Sequence, residues 1–176
     1  MSTRSTNPGA KPDPETRGFI LTHTMLRIKD PVRSLDFYQH VLGMTLYKKV
    51  DFPQWKFSVY FLGMGQPTSV PPQDERDLGA WMFRQTGCIE LTHNWGSESD
   101  PDLKMHNGND APQGYGHMCI SVPDMRAACA RFERLGVTFH KRLGEGGMKE
   151  IAFIKDPDGY RYELVQPEDV PAILGA

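Results

Sequence analysis

Two histidine–glutamate pairs stand at matching places in this chain. His23 lies seven residues before Asp30, and His117 lies seven before Asp124. Each aspartate opens an apolar helical run, and each run leads into strands that end in a Glu-Leu pair, Glu90-Leu91 and Glu163-Leu164. A single mid-strand glutamate is most often solvated, and a single histidine is most often a satisfied core residue. Two pairs in register are hard to explain as scatter. Imidazole nitrogens and carboxylate oxygens in a His₂Glu₂ set suit a divalent first-row metal, with room left for water or substrate. No sulfur takes part, which argues against a closed structural zinc site. Of the remaining histidines, His93 is three residues from Glu90 and falls on the opposite strand face. His40, His106 and His140 have no paired carboxylate in the repeat and read as surface residues.

Strand alternation brings companions to these groups. His23, Met25 and Arg27 share one face of the first strand, and Glu90, Thr92 and Asn94 share one face of the last strand of that module. An arginine beside such a centre binds a carboxylate in bidentate geometry. The implied ligand is therefore anionic and polar at one end. Apolar side chains such as Phe52, Met148 and Phe153 are candidates to line the other end.

The elements that must position these groups form an internal repeat. The first copy predicts a strand over 19–28, a helix capped by Asp30 with Pro31 at its first position, and strands over 45–50, 56–62 and 80–92. Val32, Leu35, Tyr38, Val41 and Leu42 make the helix's apolar stripe, closed by Gly43. The second copy predicts a strand over 116–122, a helix capped by Asp124, and strands over 137–141, 149–154 and 160–166. Its stripe is Met125, Ala128, Cys129, Phe132 and Leu135, ended by Gly136. Asp156-Pro157-Asp158-Gly159 is strong turn chemistry just before the last strand. His and Glu are 67 residues apart in the first copy and 46 in the second, a difference supplied largely by a Pro- and Gly-rich loop over 63–79. A second long polar loop is expected over 95–113, and loops of this length usually serve as lids or partner contacts. The expected fold class is α+β: two βαβββ modules, over 19–112 and 113–176, forming curved mixed sheets.

Composition is that of an ordinary globular protein, 39% hydrophobic and 24% charged. A formal charge of −2 asks for neither nucleic acid nor an anionic membrane. No apolar run approaches a membrane span. Residues 1–18 are polar, rich in Pro, Ser and Thr, and lack the apolar centre of a signal peptide. They read as a flexible arm that orders against a partner. Cys88, Cys119 and Cys129 have no CxxC spacing and read as buried free thiols in a reducing compartment, the cytoplasm.

At this level of detail the chain resembles glyoxalase I, the lactoylglutathione lyase family. The motifs that carry the resemblance are His23-Thr-Met-Leu-Arg27-Ile-Lys-Asp, Ser34-Leu-Asp-Phe-Tyr, Leu42-Gly-Met-Thr-Leu, Glu90-Leu-Thr-His-Asn94-Trp-Gly, His106-Asn-Gly-Asn, Gly114-Tyr-Gly-His117 and Asp156-Pro-Asp-Gly-Tyr. They run from about residue 19 to 166. The resemblance implies the vicinal-oxygen-chelate fold, with His23, Glu90, His117 and Glu163 as metal ligands. It implies that Arg27, Asn94 and Lys141 hold glutathione. It also implies isomerisation of the methylglyoxal–glutathione hemithioacetal to S-D-lactoylglutathione. The route is proton transfer through an enediolate stabilised by the metal, with Glu163 as the main base and Glu90 serving the other substrate face. No redox cofactor is needed, and no glycine-rich phosphate loop is present.

Two departures from the eukaryotic pattern stand out. A further glutathione-binding arginine falls here at Gln113, so that contact is weakened or supplied differently. The first ligand is His23, as in the shorter nickel-preferring bacterial form, whereas the long loops and N-terminal arm resemble the longer zinc-dependent form. Zinc is expected, with nickel or cobalt as the alternative. Spacing leaves open whether the half-sites join within a chain or between chains. The resemblance implies a homodimer in which His23 and Glu90 of one chain meet His117 and Glu163 of the other. Two rivals share the fold. A ring-cleaving Fe(II) dioxygenase uses two histidines and one carboxylate, and a metal-free drug-binding protein needs no ligands. The four-residue set disfavours both.

Overall fold

The computed structural model describes residues 11–65 and 69–173. Part of the expected arm (1–10), part of the 63–79 loop (66–68) and the tail 174–176 lie outside the described residues. Residues 11–18 are exposed and contain a single turn, Pro14–Thr16, capped by Asp13.

The repeat folds as two sheets of identical topology. The first orders its strands β1 (His23–Ile28), β4 (Cys88–Asn94), β3 (Phe57–Gly63) and β2 (Thr45–Phe52). The second orders β5 (His117–Ser121), β8 (Arg161–Val165), β7 (Ala152–Lys155) and β6 (Phe139–Lys141). In each, the first and last strands of the module run parallel and the other pairs antiparallel. The parallel pair needs a crossover, which a helix supplies. Helix α1 (Pro31–Asp36) runs on into a wide turn at Phe37–Val41, and Asp30 caps it by accepting from the Val32 and Arg33 N–H groups. Asp124 caps α3 (Met125–Arg134) by accepting from the Ala127 N–H. Gly43 and Gly136 follow these helices with φ of 76° and 70°, a conformation that costs glycine nothing.

Two expectations are corrected here. Residues 19–22 are not strand. β4 begins at Cys88, opposite His23, so residues 19–22 have no strand beside them. The 80–92 segment is not one strand either. Its first part belongs to α2 (Glu75–Met82), which also takes up the end of the expected loop. Asp74 caps α2 by accepting from the Arg76 and Asp77 N–H groups. Leu78, Trp81 and Met82, spaced three and four apart, pack onto Val59 and Phe61 of β3. That burial wins over the strand propensity of the Trp-Met-Phe run. Strand ends elsewhere differ by a few residues from expectation.

The larger core is shared by both modules. Leu26, Ile28 and Leu91 of the first sheet join Tyr38 and Phe37 after α1, Phe132 of α3, and Ile154, Tyr162 and Leu164 of the second sheet. Fully burying each such side chain contributes about 1.5–3 kcal/mol. A one-residue slip of β1 would expose Leu26 and Ile28 and bury Arg27 instead, so the register is firmly set. The consequence is directional: the faces carrying His23, Glu90, His117 and Glu163 alternate with this core and point away from it.

The Asp156-Pro157-Asp158-Gly159 turn clasps the modules together. Asp156 Oδ2 accepts from the Tyr38 hydroxyl at 2.7 Å, and the Tyr162 hydroxyl donates to Tyr38 at 2.9 Å. Asp158 Oδ2 accepts from the Lys29 N–H at 3.1 Å. Burial pushes the Asp156 carboxyl up to about 6, against the Tyr38 hydrogen bond that favours its charged form. Cys88 and Cys129 are buried, as expected, but Cys119 is exposed, because it alternates with His117 onto the outward face of β5.

Candidate metal and substrate site

Each sheet presents one His–Glu pair built the same way. In the first, His23 begins β1 and Glu90 lies opposite Met25 on the parallel strand β4. In the second, His117 begins β5 and Glu163 lies opposite Cys119 on β8. In both, the glutamate faces the residue two beyond the histidine. That offset brings His23 Nε2 to 3.2 Å from Glu90 Oε2 and His117 Nε2 to 3.4 Å from Glu163 Oε2. His23, Glu90 and Glu163 are half-buried and His117 is exposed, and in each pair a nitrogen and an oxygen donor aimed at one spot can share a cation.

The surroundings of the two pairs differ. The His23 ring meets Phe61 and Phe83 edge-on, with centroids 5.8 Å and 5.6 Å away, and its Nδ1 lies 2.9 Å from Thr22 Oγ1. Glu90 Oε1 accepts from the Thr92 hydroxyl at 3.3 Å. The His117 ring packs on Phe153 at 5.2 Å, and its side chain is 42% exposed against 24% for His23. Phe153 pairs with Glu163 on one side and Lys141 on the other.

The other sequence-predicted residues divide between the two halves. Arg27 is exposed on the face of His23, beside a 380 Å³ cleft that also includes Met105, Tyr115 and Tyr160. Asn94 is exposed at the end of β4. Phe52 lines a 480 Å³ apolar cavity with Val50, Phe57, Phe61 and Phe83, and Glu90 forms part of its wall. Lys141 lies in the second half, where its Nζ donates to the carbonyls of Met148 and Ile151 at 2.5 Å and 2.6 Å. Met148 is 54% exposed. Gln113 is exposed in the 95–113 loop, and its Nε2 donates to the Asn109 carbonyl. Phe52 therefore belongs to one half, and Phe153 and Met148 to the other. His93, on the inner face of β4, pairs with Glu98 at 2.7 Å, and His40, His106 and His140 are at the surface. Sequence reasoning missed Thr22 and Phe83. A hydroxyl residue directly before the candidate ligand was the available signal for the first, whereas Phe83 was hidden by the strand reading of 80–92.

Among the described residues, no three His, Cys, Asp or Glu side chains converge. Within one chain the two His–Glu pairs are separate, each on an outward face.

The family model of the Glyoxalase/Bleomycin resistance protein/Dioxygenase superfamily matches residues 20–164. A lactoylglutathione lyase of Pseudomonas putida is 52% identical over 169 residues, 95% of this chain and 97% of the relative. One from Pseudomonas aeruginosa is 55% identical over 157 residues, 89% and 87% of the two chains. Among solved structures, the trypanothione-dependent glyoxalase I of Leishmania major superposes with a TM-score of 0.65 at 28% identity, covering 89% of this chain and 92% of that one. Sequence motifs, sheet topology and these likenesses agree: the chain belongs to the lactoylglutathione lyase (glyoxalase I) family within that superfamily.

Proposed function

We propose that this protein is a metal-dependent lactoylglutathione lyase that isomerises the hemithioacetal of methylglyoxal and glutathione to S-D-lactoylglutathione. The single observation that carries the reading is the pair of equivalent His–Glu half-sites, at 3.2 Å and 3.4 Å, in a chain 52% identical to a lactoylglutathione lyase. Those relatives favour the lyase over a ring-cleaving dioxygenase or a metal-free drug-binding protein. We assign 19–112 and 113–176 as the two modules of one catalytic domain, with 1–18 as an arm against the partner.

His23 and Glu90 of one chain and His117 and Glu163 of a second hold one divalent metal, zinc in this proposal and nickel or cobalt as the alternative. The donor set fits, since it is all nitrogen and oxygen and leaves positions open. When bound, the metal supplies Lewis-acid stabilisation of negative charge developing on substrate oxygens. Glu163 removes the proton from the sulfur-bearing carbon and returns it to the neighbouring carbonyl carbon. One carbon is oxidised as the next is reduced, so no external oxidant is required. Glu90 serves the other face. Arg27 pairs with a glutathione carboxylate, Asn94 and Lys141 hold the rest of the tripeptide, and Gln113 stands near its end. Phe52, Met148 and Phe153 enclose the apolar part. The outward direction of both half-sites supports a homodimer with two shared sites. No described helix is long and apolar enough to cross a membrane, and three free thiols support a cytoplasmic setting.

The test is thioester formation from methylglyoxal and glutathione, followed in the ultraviolet, in the wild type and in Arg27→Ala. The wild type should form thioester. The variant should show KM raised on the order of tenfold or more, the worth of one charge-assisted contact, with kcat within a few-fold. A carboxylate held alike in ground and transition states contributes uniform binding. No thioester from the wild type with any of zinc, nickel, cobalt or manganese would refute the function, and an unchanged KM would refute the assignment of Arg27.

A further inference from the structure

We propose that Thr22 is a positioning residue for His23: its hydroxyl accepts the Nδ1–H and so turns the Nε2 lone pair toward the metal and Glu90. The inference rests on His23 being a metal ligand, as assigned above. Thr22 Oγ1 is 2.9 Å from His23 Nδ1, and His23 Nε2 is 3.2 Å from Glu90 Oε2. The two ring nitrogens therefore have different partners, on opposite sides of the ring. Thr22 is itself anchored, because its carbonyl accepts from the Cys88 N–H at 3.2 Å, just ahead of the first β1–β4 pair.

The apolar walls cannot do this job. Phe61 and Phe83 stand at 83° and 82° to the imidazole and hold its plane. A half-turn about the Cβ–Cγ bond keeps that plane yet exchanges nitrogen and carbon edges. Aromatic edges accept either arrangement, whereas a hydroxyl does not. A histidine that ligates through one nitrogen generally has its other N–H fixed by an acceptor, which sets tautomer and orientation together.

The second half-site lacks the device. The residue before His117 is Gly116, which has no side chain to offer. His117 is correspondingly more exposed. Each shared site would then combine one pre-oriented histidine and one that adapts when metal and partner arrive.

The experiment uses full-length, metal-free protein. Zinc dissociation constants are measured by competition with a chromophoric chelator for the wild type, Thr22→Val, Thr22→Ser and the control Thr24→Val. Imidazole nitrogen NMR on the zinc-loaded samples reports which His23 nitrogen carries the proton. Thr22→Val should bind zinc about tenfold or more weakly, the usual cost of losing such a partner, and should mix both tautomers. Thr22→Ser and Thr24→Val should stay within about threefold of the wild type and keep Nδ1 protonated. Equal zinc constants for the wild type and Thr22→Val would overturn the role of Thr22 while leaving the metal site standing. So would a loss in Thr22→Ser equal to that in Thr22→Val, since packing rather than the hydroxyl would then be at work. A wild type without zinc affinity would overturn this proposal and the ligand assignment together.

Discussion

Exhaustively demetallated protein should form thioester no faster than the uncatalysed mixture, and one added divalent metal should restore the rate. The expectation follows from the donors. Without a cation, His23–Glu90 and His117–Glu163 present donor atoms but no Lewis acid to stabilise negative charge on a substrate oxygen. Lewis-acid stabilisation is worth several kcal/mol in the transition state, and each 1.4 kcal/mol is about tenfold in rate. Its loss should therefore leave activity at background. Zinc should restore the rate best under this proposal. Restoration by nickel or cobalt but not zinc would change the metal and keep the mechanism. Full activity in protein shown by elemental analysis to be metal-free would end the account.

Glu163→Gln should lower kcat by about a thousandfold or more in metal-loaded protein, the scale on which a positioned base contributes. Glu90→Gln should cost less. The two carboxylates are not equally free to move. Glu90 Oε1 is tied to the Thr92 hydroxyl at 3.3 Å. Glu163 has the Cys119 thiol beside it, a weak donor. The residue two beyond Glu163 is Val165, which offers no hydroxyl in Thr92's place. A loosely held carboxylate can leave its resting contact and carry a proton between adjacent carbons. Both variants must be compared at equal metal content, because either substitution also removes a charged donor. If Glu163→Gln retains metal and keeps kcat within tenfold of wild type, another group is the base.

Much of the fold was legible because local signals agreed with one another. Asp30-Pro31 and Asp124 start the crossover helices, and glycines end them. The alternation around His23 and Glu163 matches which side chains are buried. Where signals conflicted, tertiary packing decided. The segment around Trp81 reads as the start of a strand, yet its three- and four-residue spacing against Val59 and Phe61 makes it helix. The pairing of His23 with Glu90 was readable from parity and from the repeat. The separation of the two half-sites was not. Periodicity tells which face of a sheet a residue occupies, but not which face of one sheet meets another. That is decided by the shared core around Tyr38, Tyr162 and Asp156, whose contacts join residues more than a hundred positions apart. The hydroxyl residue before His23 was in view, but alternation argued against its contact: neighbouring side chains on a strand point to opposite faces, and Thr22 reaches the ring because it lies just before β1 starts.

Subunit complementation tests the central claim most directly. His23→Ala chains and Glu163→Gln chains, each inactive alone, are mixed and allowed to exchange. If sites are shared between chains, a heterodimer carries one site with both defects and one with none. At random pairing the mixture should recover about a quarter of wild-type activity, since half the dimers are mixed and each has one intact site of two. If every site is built within one chain, each site keeps a defect and the mixture stays as inactive as its components. That result, or a wild type that sediments as a monomer while fully active, would contradict the account.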